Sequence, residues 1–224
     1  MTNGNMKEIA FVLDKSGSME DCVEDTIGGF NAFIEEEKRK DSNARVTLCL
    51  FDGNYELVYT SRPLAEVPKL TREVYKIGGS TALRDALGRT ISNLGAQLAA
   101  RKVEDRPDTI AVVVITDGEE NSSAEISHQR LQEMIAHQTE KYNWNFIYLA
   151  EDVKSAGSAV NMGFNANNVV GTCTRSAMGV QSRYMAVNNA LADDSDHVFG
   201  SSSMESLYSA TLDEAENDSA SDDS

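Results

Sequence analysis

The sequence predicts an α/β fold: a doubly wound, Rossmann-like, mostly parallel sheet with one antiparallel edge strand and helices on both faces. Three observations predict it. Residues 9–13 (Ile-Ala-Phe-Val-Leu) and 109–115 (Thr-Ile-Ala-Val-Val-Val-Ile) are almost unbroken apolar runs, which suits strands covered on both faces. Such runs alternate along the chain with apolar stripes at helical spacing, the mark of βα units joined by right-handed crossovers. Finally, Asp52-Gly53-Asn54 separates two strand-like runs and reads as a hairpin turn, which supplies the antiparallel edge.

The elements follow in order. After the strand at 9–13, Val23, Ile27, Phe30 and Ile34 recur at helical spacing and lead into a solvated charged run at 35–40. Residues 46–51 and 55–60 form the hairpin. Beyond a loop containing Pro63 and Pro68, Leu83, Leu87, Ile91, Leu94 and Leu98 make a second helical stripe. The strand at 109–115 follows. Ser122-Ser123-Ala124-Glu125 matches a capping box and predicts a helix from there to about Lys141. A strand at 144–149, a short helix at 152–162, a strand at 168–170 and a closing stripe of Val180, Tyr184, Val187 and Leu191 complete the pattern.

Residues 1–192 are thus expected to form one domain, and 193–224 an acidic, Ser-rich tail of the composition typical of disorder. The formal charge is −16, and from Asp193 onward there are ten acidic residues and no Lys or Arg. The body therefore carries 26 acids against 20 bases, or −6. This balance argues against nucleic acid or an anionic membrane as a partner. No apolar leader or spanning stretch is visible, and the three cysteines, Cys22, Cys49 and Cys173, are odd in number and scattered. A cytoplasmic protein without disulfides is the expectation. The histidines at 128, 137 and 197 have no metal-binding spacing, and surface or packing roles are expected of them.

Three short segments carry chemistry. Asp14-Lys15-Ser16-Gly17-Ser18 leaves the first strand at its carboxyl end, where open α/β sheets bind ligands. Gly78-Gly79-Ser80-Thr81 enters a helix, and Thr116-Asp117-Gly118-Glu119 closes another buried strand. Asp14, Ser16 and Ser18 can converge where the chain turns, with Gly17 expected to permit the bend. Thr81 and Asp117 would reach the same point. Carboxylate and hydroxyl oxygens are hard ligands, so Mg²⁺ is the expected ion, with Mn²⁺ or Ca²⁺ also compatible. Three hydroxyls and at most two carboxylates leave such an ion electrophilic, so an Asp or Glu from a partner would complete its coordination.

These segments resemble the three parts of the metal-ion-dependent adhesion site of von Willebrand factor type A domains. The resemblance spans about residues 7–191, and all five ligand positions are filled in order. It implies that Ser16, Ser18 and Thr81 touch the ion directly, and that Asp14 and Asp117 act directly or through water. Without a leader, flanking disulfide or anchor, the chain is most similar to stand-alone cytoplasmic members of bacteria and phages, an impression helped by segments 141–149 and 161–165. Partners of that group include ring ATPases. The resemblance also implies that the closing helix can move with metal ligation.

Taken singly, each residue has a plainer reading: Ser16 or Ser18 as caps of the first helix, Thr81 as cap of the helix it precedes, Asp117 as a turn residue. Arg84 and Asp85 could pair to steady the Thr81 loop or form a simple surface bridge. A Mg²⁺-dependent phosphohydrolase similar to haloacid dehalogenase-like phosphatases would need an acid where Ser16 stands, and phosphate- or dinucleotide-cradling glycine loops are missing. No enzyme is expected. The remaining alternative is an assembly scaffold acting through its acidic tail, whose Glu214 or Glu216 could also occupy the metal site from the same or a neighbouring molecule.

Overall fold

The computed structural model describes residues 6–40, 42–116, 120–150, 153–171 and Val187. Six strands, β1 (Lys7–Asp14), β2 (Ala44–Phe51), β3 (Tyr55–Pro63), β4 (Thr109–Ile115), β5 (Trp144–Ala150) and β6 (Val169–Gly171), form one sheet in the order β3-β2-β1-β4-β5-β6. Every neighbouring pair is parallel except β2 and β3. The expected α/β fold with one antiparallel edge is therefore what forms.

Period-two alternation divides the core into two layers. Ile9, Phe11 and Leu13 of β1, with Val113 of β4 and Leu48 of β2, face α1 (Val23–Arg39). There Phe11 meets the rings of Phe30 and Phe33 edge-on, each with centroids 5.1 Å apart, contacts that contribute on the order of 1 kcal/mol each beyond their burial. Leu64, Val67, Leu70 and Tyr75 of the loop after β3 extend this layer. Ala10, Val12, Val112 and Val114 face the other way, against α2 (Leu83–Ala100), α3 (His128–Tyr142) and α4 (Val153–Asn161). Both faces of β1 and β4 are covered, which is why their sequences read as continuous apolar runs.

Two expectations are corrected. The Ser122 capping box does not open α3: the helix begins at His128, with the Ser127 hydroxyl accepting the Arg130 N–H, and it closes on Asn143 in the left-handed region at φ 53°. The N–H groups of the 122–126 segment are instead satisfied by Glu120 and by Asp85 from α2. Second, β3 runs three residues beyond Thr60. It is irregular there, with a register shift opposite Val46 and Leu48, and Ser61 sits at φ 44° with its N–H turned onto the Thr47 hydroxyl. Of the closing stripe, Val187 is helical and fully buried in the α1 layer. Val180, Tyr184, Leu191 and the tail lie outside the described residues.

Among the described residues no helix is long and apolar enough to cross a membrane.

Candidate metal centre

Successive strands run to β2 and β3 on one side of β1, and the chain then crosses to β4 on the other. The crevice at the carboxyl ends of β1 and β4 is thus the topological switch point of the sheet. Asp14, completely buried, ends β1. Its Oδ1 accepts the Ser16 N–H at 2.7 Å, an Asx-type turn, and its Oδ2 accepts the Thr116 hydroxyl at 2.6 Å. Thr116 directly follows β4, so the carboxylate is held between the two strand ends. The buried Tyr75 hydroxyl donates to the Asp14 carbonyl from the loop after β3.

The Asx turn, rather than glycine freedom, makes the bend. Gly17 does not adopt a left-handed φ, and a Cβ there would meet only the Gly78 and Gly79 carbonyls at an ordinary 3.7 Å. The turn brings the Ser16 and Ser18 hydroxyl oxygens to 3.0 Å from each other. Ser16 is buried and Ser18 exposed, so the pair runs from floor to rim. Ser16, which precedes the short 3-10 turn at Gly17–Cys22, makes no side-chain cap there, and α1 starts from Cys22 without one. Nor does Thr81, since α2 starts from Ala82 without one.

The second segment is stitched to the first by backbone. Gly78 donates to the Lys15 carbonyl at 2.7 Å, and Gly17 to the Gly79 carbonyl at 3.0 Å. Asp52, at the end of β2, anchors the far side by accepting the Ala82 N–H on its own carbonyl at 2.8 Å. Gly78 must be glycine for reasons of space, because a Cβ would fall 1.8 Å from Asp52 Oδ2. Thr81 is thereby buried beside the Asp14 loop.

Asp117 lies outside the described residues. Its flanks are well tied. Glu120 accepts the Arg84 N–H at 2.9 Å and the Ser123 N–H and hydroxyl at 2.8 and 2.7 Å. Arg84 and Asp85 do not pair with each other. Arg84 donates to the Ser123 carbonyl at 3.2 Å and lies 3.9 Å from Glu120, while Asp85 accepts the N–H groups of Ala124, Glu125 and Ile126. Partial burial pushes the Asp85 carboxyl up, but those three donors and the Arg89 charge outweigh it and hold it below its ordinary value.

All donors present are oxygens. Among the described residues no group of three or more His, Cys, Asp or Glu gathers anywhere, so the set suits a hard, hydroxyl-bound divalent ion and not a thiolate or imidazole metal. Adjacent oxygens around an octahedral Mg²⁺ with bonds near ~2.1 Å stand about 3 Å apart. The Ser16–Ser18 separation has that value. His128 and His137 are exposed on α3, the latter edge-on to Tyr142. Cys49 is buried in the α2 layer and its thiol is pushed up to about 12 by burial. Sequence reasoning missed Tyr75, Thr116, Asp52, Glu120 and Asn121, all of which act across long separations in the chain. Thr116 carried the best signal, a hydroxyl at the mouth of a buried strand.

Solved structures of similar fold include a mutant of the PilB minor pilin from Streptococcus sanguinis (TM-score 0.64, 11% identity, covering 85% of this chain and 62% of that one). Another is the pilus adhesin SpaC from Lactobacillus rhamnosus GG in an open conformation (0.62, 14%, 85% and 30%). A third is proximal thread matrix protein 1 of the mussel byssus, with a zinc-occupied metal-ion-dependent adhesion site (0.53, 14%, 82% and 46%). The chain thus spans less than two thirds of the length of each. Among curated proteins none matches. Residues 8–213 match the von Willebrand factor type A domain, most of the chain, and the chain belongs to that family.

Proposed function

We propose that the chain is a metal-dependent protein-binding module, in which Asp14, Ser16, Ser18, Thr81 and Asp117 hold a divalent cation that an Asp or Glu of a partner protein completes. Von Willebrand factor type A domains are typically adhesion or protein-binding modules of this kind. The observation that carries the reading is the Ser16–Ser18 hydroxyl pair, 3.0 Å apart, in the loop turned by the buried Asp14 carboxylate.

A bound ion would supply a Lewis-acid contact for a partner's carboxylate. The chain's own residues do the rest. Asp14, fixed by the Ser16 N–H and the Thr116 hydroxyl, lends charge from the floor. The hydroxyls of Ser16, Ser18 and Thr81 contribute no formal charge, and would leave a bound divalent ion short of anionic oxygen that a partner could give. The exposed rim at Ser18 leaves room for one. Mg²⁺ is the expected ion, Mn²⁺ and Ca²⁺ being compatible; the zinc-occupied site of the mussel protein supports a divalent cation in general.

The same reading makes the chain a cytoplasmic, non-catalytic protein of a bacterium or phage, with a protein partner such as a ring ATPase and with neither nucleic acid nor membrane as ligand.

Mn²⁺ titration followed by electron paramagnetic resonance tests the metal half, comparing wild type with Asp14→Ala and Ser16→Ala. A single site lost in both variants is expected; equal binding by all three overturns the reading. Capture of a partner in Mg²⁺ but not in EDTA, abolished by Ser16→Ala, tests the docking half. Capture that survives both treatments and is lost on removing residues 193–224 would favour the scaffold alternative instead.

A further inference from the structure

The backbone of Thr81 is gripped on both sides by one residue from a distant segment. Its N–H donates to Asn121 Oδ1 at 2.9 Å, and its carbonyl accepts the Asn121 N–H at 3.0 Å and the Ser122 N–H at 3.1 Å. Asn121 stands four residues after Asp117. We propose that Asn121 is a positioning residue, a clamp that fixes the Thr81 backbone and so holds the Thr81 hydroxyl in place as a ligand of the metal centre. This rests on the metal-binding reading above and adds to it the device that holds one of its ligands.

The chemistry of the clamp is specific. The Thr81 N–H precedes α2 and has no intrahelical partner, and Thr81 is buried, so water cannot replace a lost acceptor without cost. The Asn121 side chain supplies that acceptor without adding negative charge beside the ion. Its own backbone N–H returns the bond, and Glu120 next to it accepts the Arg84 N–H. The first turn of α2 and the 120–122 segment therefore move together or not at all. A hydroxyl ligand has little intrinsic affinity for Mg²⁺, and its contribution depends on being held in place; losing a group that orients a metal ligand typically costs about 10- to 100-fold in affinity.

The test uses the full chain and two readouts. In EDTA, hydrogen exchange at the Thr81 amide reports the clamp without any metal; Mn²⁺ titration reports the site. Asn121→Ala is expected to speed Thr81 exchange at least about tenfold and to weaken Mn²⁺ about tenfold or more. Asn121→Asp keeps the acceptor, and is expected to restore Thr81 protection with Mn²⁺ affinity equal to wild type or tighter. If Asn121→Ala does not fold, Asn121→Ser carries the same comparison as a milder loss. Faster Thr81 exchange with Mn²⁺ affinity within twofold of wild type overturns the inference while leaving the metal reading intact. A wild type that binds no Mn²⁺, with Thr81 exchange still responding, fails the metal reading itself and reduces the clamp to a loop brace.

Discussion

Gly78 and Gly79 are adjacent, share a loop, and are expected to respond in opposite ways to the same substitution. Neither adopts a left-handed φ, so an alanine at either is conformationally tolerable and space alone decides. At Gly79 a Cβ meets nothing within 4 Å. At Gly78 it falls 1.8 Å from Asp52 Oδ2, 2.6 Å from Cγ and 2.9 Å from Cβ. Relief requires a shift of more than an ångström, and Asp52 is not free to give it. Its Oδ1 accepts the Asn54 N–H at 2.7 Å, its carbonyl accepts from Ala82, and the residue is buried. Overpacking of this kind costs about 1–3 kcal/mol, and a weakened bond to the carboxylate adds on the order of 1–2 kcal/mol. Gly78→Ala is therefore expected to lose about 2–5 kcal/mol, and Gly79→Ala to stay within about 0.5 kcal/mol of wild type. For a chain of this size that is a fall in Tm of roughly 4–20 °C for the first variant. Urea unfolding of the three proteins side by side measures it. Equal stabilities, or a larger loss at Gly79, would refute the reasoning that Asp52 dictates glycine at 78.

Other outcomes follow from the buried polar groups. Glu8 is fully buried at the start of β1, with its Oε2 taking the Arg101 guanidinium at 3.0 Å and the Ser61 hydroxyl at 2.7 Å; Arg101→Ala is expected to cost about 3–5 kcal/mol in urea unfolding by stranding that charge, and to leave Mn²⁺ affinity unchanged because the pair sits at the opposite end of the strand from Asp14. Cys49, with its thiol pushed up to about 12, is expected to resist alkylation at pH 8 in the folded protein while the partly exposed Cys22 reacts, as peptide-resolved mass spectrometry reports; equal labelling would contradict the burial. Asp85 has its folded value below the ordinary 3.8, so its tether to residues 124–126 contributes stability above that pH and loses it as the pH falls through the lower folded value. Unfolding curves between pH 5 and 3 should therefore fall less steeply for Asp85→Asn than for wild type, and parallel curves would discount the tether.

Much of the architecture was legible because it depends on short-range pattern. β1 and β4 announced themselves as apolar runs since both their faces meet helices, and α1 and α2 through stripes that bury against β1. The capping box at Ser122 misled for a physical reason: its orphan N–H groups find carboxylates at Glu120 and at Asp85, the latter some forty residues away, so no helix has to start there to use them. The same long reach hides Tyr75, Thr116 and Asn121, whose partners at Asp14 and Thr81 are remote in sequence. Gly17 suggests itself as the hinge of the first loop, yet Asp14 makes the turn itself, a bond that the Asp-x-Ser spacing of an Asx turn does show.

The irregular end of β3 has a consequence of its own. A strand at the border of a sheet is a template on which a second molecule can crystallise its own backbone, and a chain that stays unaggregated must spoil that template. Here the spoiling is local and cheap: Ser61 in its left-handed conformation turns its N–H back onto Thr47, the register slips beside it, Pro63 has no N–H to offer, and Glu56 and Arg62 bring charge to the strand. The border remains straight only over the first few residues after the hairpin, too short a run to seed a growing ribbon.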